Sequence, residues 1–306
     1  MRTVLVTGAA SWEGAQLVRR LAARDDLTVV AVDELAPRVP IPVPLRRWSL
    51  DSLDFARWVV ETGPDVVVHL QTMDRATDLG TTRARETVVL GAQALFGALA
   101  RLDHLTRVVV KSDAAVYGTG PRHPTIADDR VTPSSGRATR HERALREVET
   151  FVGHLDVELS GVEVVVLRLA EAYGPTVDTP FARLLRLPSV PVAIGRDPLL
   201  QLLAADDVVR CLEHAIDAGR PGTYNVAPEG PLYLSQILRL SGAVGLPLLP
   251  FQLDAAHRAL AGGGLEVPDH VRGLLHHGRV LRVDRMVEEL GFHPARTTRS
   301  VAMEAA

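Results

Sequence analysis

The stretch Thr7-Gly8-Ala9-Ala10-Ser11-Trp12-Glu13-Gly14 joins an apolar run, Thr3-Val4-Leu5-Val6, to a helical pattern carrying Leu17, Val18 and Leu21. Its reading decides the fold. A β-rich run, a turn of small residues and a helix start together place free N–H groups beside backbone that a phosphate can approach closely. A second apolar run, Leu27 to Val32, ends at Asp33, nineteen residues beyond Gly14. An acid at that point can accept hydrogen bonds from ribose hydroxyls. Strand, turn, helix, strand and acid in this order predict a dinucleotide-binding crossover. Glycines that merely permit tight packing are the plainer alternative.

Further along, short β-rich runs keep alternating with amphipathic runs, the pattern of a parallel sheet covered on both faces. Asp65 to Leu70 reads as a buried strand, Val88 to Ala100 as a helix and Arg107 to Val110 as a strand. A helix from about Thr139 to Leu155 puts Leu145, Val148, Val152 and Leu155 on one stripe, and Val162 to Leu167 is a further strand. After Pro175 the pattern loosens, with prolines at 180, 188, 191 and 198. The expected class is α/β: a doubly wound parallel sheet over residues 1–170, with about 199–225 returning to it, and a smaller C-terminal substrate lobe within 171–306. Gly262-Gly263-Gly264 reads as a loop.

Composition narrows the function. The 306 residues are 46% hydrophobic and 23% charged, with a formal net charge of −3. That balance supplies no field for nucleic acid or an acidic membrane. Cys211 is the sole cysteine, which excludes a disulfide framework and a cysteine-based metal cluster. No uncharged apolar run reaches the ~18 residues of a membrane span, and the opening MRTVLVTGAAS reads as strand and turn rather than a leader. The expectation is a cytoplasmic protein with a small-molecule substrate and no metal.

Several stretches, in order, carry a resemblance. They are Thr7 to Gly14; Asp65-Val66-Val67-Val68-His69-Leu70-Gln71-Thr72; Ser112-Asp113-Ala114-Ala115-Val116-Tyr117-Gly118; and Glu171-Ala172-Tyr173-Gly174-Pro175. Asp206-Asp207-Val208, Tyr224-Asn225-Val226 and Leu290-Gly291-Phe292 with Pro294 follow. Over nearly its whole length the chain resembles the extended short-chain dehydrogenase/reductase family, the epimerase and dehydratase group. The resemblance implies a Rossmann domain and NAD held by Gly8, Ala10, Ser11, Trp12, Glu13, Gly14, Asp33, Leu70 and Gln71. It also implies a homodimer through helices near 88–100 and 140–155. Asp33 facing the adenosine 2′ position favours NAD over NADP, whose extra phosphate it would repel.

The departures gather where chemistry is done. Ser11 replaces a glycine, Glu13 an apolar residue beside the cofactor, Gln71 a small residue and Glu171 an asparagine. Glu13 is expected to crowd the phosphates unless it turns toward the substrate side. Asp113 stands at the family's serine. Its Tyr-x-x-x-Lys pair should fall within Ser134 to His141, which has neither residue; the single lysine of the chain is Lys111. That pair supplies a phenol made acidic by a nearby cation, a task arginine cannot share.

Asp113 and His141 are the best-placed substitutes for general acid or base, with Glu171 a further pocket acid. The plainer readings set Asp113 as a loop cap, His141 on a solvated helix face, and Glu13 and Glu171 at the surface. Tyr117 is expected to pack structurally, His69 to make a local hydrogen bond, and Asp206-Asp207 to tie parts of the fold together. Three functions fit: a nicotinamide-dependent oxidoreductase, epimerase or dehydratase with a substitute acid/base set; a non-redox cyclase, lyase or isomerase; and a non-catalytic nucleotide-binding regulator or scaffold.

Overall fold

The computed structural model describes residues 1–71, 82–121, 123, 125–133, 138–158 and 161–304. Seven parallel strands form the central sheet: β1 (Arg2–Thr7), β2 (Leu27–Asp33), β3 (Leu45–Arg47), β4 (Val66–His69), β5 (Arg107–Asp113), β6 (Glu163–Leu169) and β7 (Gly222–Val226). Their order is β7-β6-β5-β4-β1-β2-β3, so the winding reverses between β1 and β4. A crevice opens at such a reversal, beyond the carboxyl ends of the strands, and ligands of doubly wound sheets bind there.

The near-continuous valine and leucine runs follow from burial on both faces. Val4, Val6, Val66, Val68, Val109, Val165 and Leu167 face one core, which they share with Leu17, Val18 and Leu21 of helix α1 (Trp12–Ala22). The alternate residues Leu5, Val67, Val108, Val110, Val164 and Val166 face a second core. There they meet Phe55 of α2 (Leu53–Thr62), Leu95 of α3 (Thr82–Leu99) and Val148 of α4 (Arg140–Glu158). Helix α5 (Ala205–Asp217) adds Val208, Val209 and Leu212 to the first core.

The lobe is built on a third core containing Phe181, Leu184, Val190, Ile237, Leu274 and Val301. Its strands Ser189–Ala193 and Val244–Leu248 pair in parallel. The seam with the sheet domain has a strand pair at each end, Glu171–Tyr173 with Leu202–Ala204 and Ile126–Ala127 with Val280–Leu281. Trp12 packs against both the first and third cores, a wedge between sheet and lobe. Asp207 performs the tying role expected of it: it is buried and accepts the N–H groups of Ala295 and Arg296. Gly262 and Gly263 close the helix Pro250–Gly262, where a loop was expected. No described helix is long and apolar enough to cross a membrane.

Candidate active site

The turn after β1 is held from three sides. Gly8 has φ +74°, and a Cβ there would lie 2.9 Å from the backbone of Leu70 and Gln71, so only glycine fits against the end of β4. Behind it, Thr7 Oγ1 and His69 Nδ1 are 2.8 Å apart, the local hydrogen bond expected of His69. Burial pulls the His69 imidazole down to about 4. Asp33 is buried, and its carboxylate accepts the N–H groups of Ala10 (2.8 Å) and Leu35 (2.9 Å).

Ser11 caps α1. Its hydroxyl donates to the Gly8 carbonyl (2.8 Å) and accepts the Gly14 N–H (3.0 Å), so the side chain folds into the turn instead of standing over it. The Ala15 N–H goes to the Ser11 carbonyl. The N–H groups of Trp12 and Glu13 remain as the helix start's open donors, since the first turn of a helix has no acceptor for them within the helix. Beside them lies a cavity of about 420 Å³ lined by Ala10, Ser11, Trp12, Glu13, Leu35 and Ala36. Arg38 and Asp178 form an ion pair on its rim, joining the loop after β2 to the lobe. Next to Gly8, the Gln71 Oε1 is buried without a partner among the described residues. A cavity at the helix start, with the turn anchored from behind by the Asp33 carboxylate, fits a dinucleotide.

Glu13 neither crowds the turn nor reaches the surface. It is 1% exposed, and its Oε1 lies 2.7 Å from the Nζ of Lys111 on β5, itself 5% exposed. The backbone of Glu13 serves the turn while its carboxylate points beneath it, toward the central strand. A lysine in the otherwise apolar run Val108-Val109-Val110-Lys111 was the signal for this pair, because a buried ammonium requires a counter-charge. Its partner, 98 residues away, carries no mark in the sequence.

Lys111 also lines a second, much smaller cavity of about 30 Å³, with Asp113, Glu171 and His270, walled by Trp12 and Phe181. Asp113 ends β5 and caps the short turn Ala114–Tyr117 by accepting the Ala115 N–H at 2.5 Å. Capping and lining the pocket therefore coexist in one residue. Arg279, buried and contributed by the chain just after helix Asp269–His277, brings one nitrogen within 3.9 Å of Asp113 and 3.5 Å of Glu171. Both acids expected at the pocket are thus present, gathered on a guanidinium that the sequence reading overlooked.

His141 is 5% exposed, against the expectation of a solvated face. Its ring stacks on that of His270 with centroids 4.0 Å apart, joining α4 to the lobe helix. Burial first, then His141 and Arg279, push the His270 imidazole well below its ordinary range, so it is neutral near pH 7. Of the stretch where the resemblance places Tyr and Lys, Ser134, Ser135, Gly136 and Arg137 lie outside the described residues, as does Thr72. Ala138 and Thr139 lead directly into α4. Thr139 Oγ1 accepts the Glu142 N–H (3.2 Å), and Glu142 accepts the Thr139 N–H in return (2.8 Å), a reciprocal cap. Tyr117 is structural, as expected. Its hydroxyl receives a hydrogen bond from Arg168 (2.8 Å) and donates to Asn225 (2.7 Å), and burial raises its pKa. Glu149 grips Arg168 through both oxygens.

Comparison with known proteins follows the same outline. Residues 4–227 match the NAD dependent epimerase/dehydratase family. An uncharacterised protein of Mycobacterium tuberculosis is 34% identical over 307 residues, 97% of this chain and 81% of that protein. A dTDP-glucose 4,6-dehydratase of Streptomyces griseus is 30% identical over 317 residues, 95% of this chain and 89% of that enzyme. Among solved structures, the UDP-glucose 4-epimerase of Thermus thermophilus in complex with NAD superposes with a TM-score of 0.75, covering 99% of this chain and 97% of that one. At 21% identity that likeness is one of fold.

Proposed function

The chain belongs to the NAD-dependent epimerase/dehydratase family, and we propose that it is an NAD-dependent enzyme that oxidises a secondary hydroxyl of a small-molecule or sugar-nucleotide substrate, with Asp113 taking the hydroxyl proton. One observation carries this reading: the Asp113 carboxylate stands at the C-terminal end of a central strand, in one pocket with Lys111, Glu171 and His270. A rigid strand end is a better support for proton transfer than the helix lead-in that the family uses.

Bound NAD supplies the hydride acceptor; the chain supplies position, charge and a base. The Trp12 and Glu13 N–H groups would hold the diphosphate and Asp33 the adenosine ribose. Ala115 N–H and Arg279 fix Asp113 through Oδ1, leaving Oδ2 to accept the proton of a substrate hydroxyl as its carbon loses hydride. Glu171 accepts a neighbouring hydroxyl. The sugar-nucleotide class comes from the relatives' names, dTDP-glucose and UDP-glucose.

A second reading, a protein that binds NAD without turnover, is favoured by the smallness of the reaction cavity, about 30 Å³, which is about one water's worth of space. The deciding experiment is mass spectrometry of small molecules released from the purified protein. It is followed by nicotinamide absorbance after adding dTDP- or UDP-hexoses to the NAD-loaded form. Reduction of bound NAD, lost in Asp113→Asn, supports the enzyme; NAD binding with no reduction by any sugar supports the binding protein. Absence of NAD binding overturns both.

A further inference from the structure

A carboxylate on the second residue of the phosphate-binding helix opposes the ligand that the helix start attracts. Glu13 contributes one of the two open N–H groups, and its side chain leaves from the same Cα. Any diphosphate at those donors is therefore roughly one side-chain length, about 6 Å, from the Glu13 carboxylate, close enough for strong repulsion where water is excluded. The carboxylate is 1% exposed and cannot be screened by solvent. Its Oε1 is held 2.7 Å from Lys111 Nζ, and its Oε2 has no partner among the described residues.

We propose that Lys111 sets the affinity of the diphosphate site by neutralising Glu13 from beneath the turn, so that charge on the central strand controls binding at the helix start. The inference rests on reading the turn as the NAD site. Lys111 is a charge-setting residue here and acts through Glu13; it needs no contact with the dinucleotide.

The two single neutralisations remove the same ion pair, and with it the same structural contact, yet leave opposite charges behind. Lys111→Met leaves a buried carboxylate under the diphosphate. Glu13→Gln leaves an ammonium there. Titration calorimetry with ADP-ribose should show about tenfold weaker binding for Lys111→Met and about tenfold tighter binding for Glu13→Gln, each close to 1.4 kcal/mol. Glu13→Gln/Lys111→Met should return near the parent value. Adenosine, which lacks the diphosphate, should bind all four proteins alike, and thermal unfolding run in parallel reports the fold. Weaker binding in both single variants would mean that the pair is only structural and overturns the proposal. If Lys111→Met does not fold, the Glu13→Gln protein decides: no gain for ADP-ribose overturns it. Failure of the parent protein to bind either ADP-ribose or NAD instead overturns the reading of the turn itself.

Discussion

Two helix starts face the crevice at the carboxyl end of the sheet, and they close their first turns differently. At α1, Ser11 takes one N–H, that of Gly14, and the donors of Trp12 and Glu13 stay open for a ligand. At α4, Thr139 and Glu142 satisfy one another's N–H groups, so that end is turned inward. The first start has the open donors that the proposed NAD site uses. The second carries a reciprocal cap, and the acids proposed to handle protons stand elsewhere, at the end of β5 and on Glu171. A helix N-terminus is thus a binding site only to the extent that its own side chains decline to fill it.

The sharpest way to break this comparison is Asp113→Asn, which keeps shape and removes the base. Turnover should fall by roughly 10²–10⁴, while NAD affinity, set at the other helix start, stays nearly constant. Turnover that survives this change but collapses in His141→Ala would return the role to the head of α4. If neither change matters, the pocket does no acid–base chemistry.

Support behind the phosphate turn can be tested through pH. His69 is fully buried, with a folded-state value of about 4 against an ordinary 6.5. As pH falls through that window the unfolded chain takes up the proton first, so stability is lost between about pH 6.5 and 4. The loss should approach about 3 kcal/mol from this residue. Chemical denaturation of the parent and His69→Asn proteins across that range should show a shallower decline in the variant. Equal slopes would remove His69 from the account of acid sensitivity.

Asp33→Ala should weaken NAD by on the order of tenfold, about 1.4 kcal/mol, and reduce its preference over NADP. Tighter binding of NADP than NAD by the parent protein would contradict the role assigned to Asp33. The smallest effects separate the two caps themselves. Thr139→Ala should cost about 1 kcal/mol of stability and leave NAD binding alone, whereas Ser11→Gly should cost only a few tenths. Urea denaturation with parallel NAD titration distinguishes them.

The sequence by itself determined the layered α/β fold, the position of the phosphate turn and the loss of the Tyr-x-x-x-Lys pair. Those features are local: a period of two or 3.6, a glycine where Cβ cannot fit, a residue type present or absent. Asp33 and Asp113 stood out because each ends a strand, and strand ends have a known place in such sheets. Partnership was different. The pairing of Glu13 with Lys111, the stacking of His141 on His270 and the gathering of Asp113 and Glu171 by Arg279 each join distant segments of chain. Periodicity states that a side chain is buried but does not name what it meets. The lobe's His270 and Arg279 made two of these partnerships as it closed over the sheet, while Glu13 and Lys111 met within the sheet domain itself.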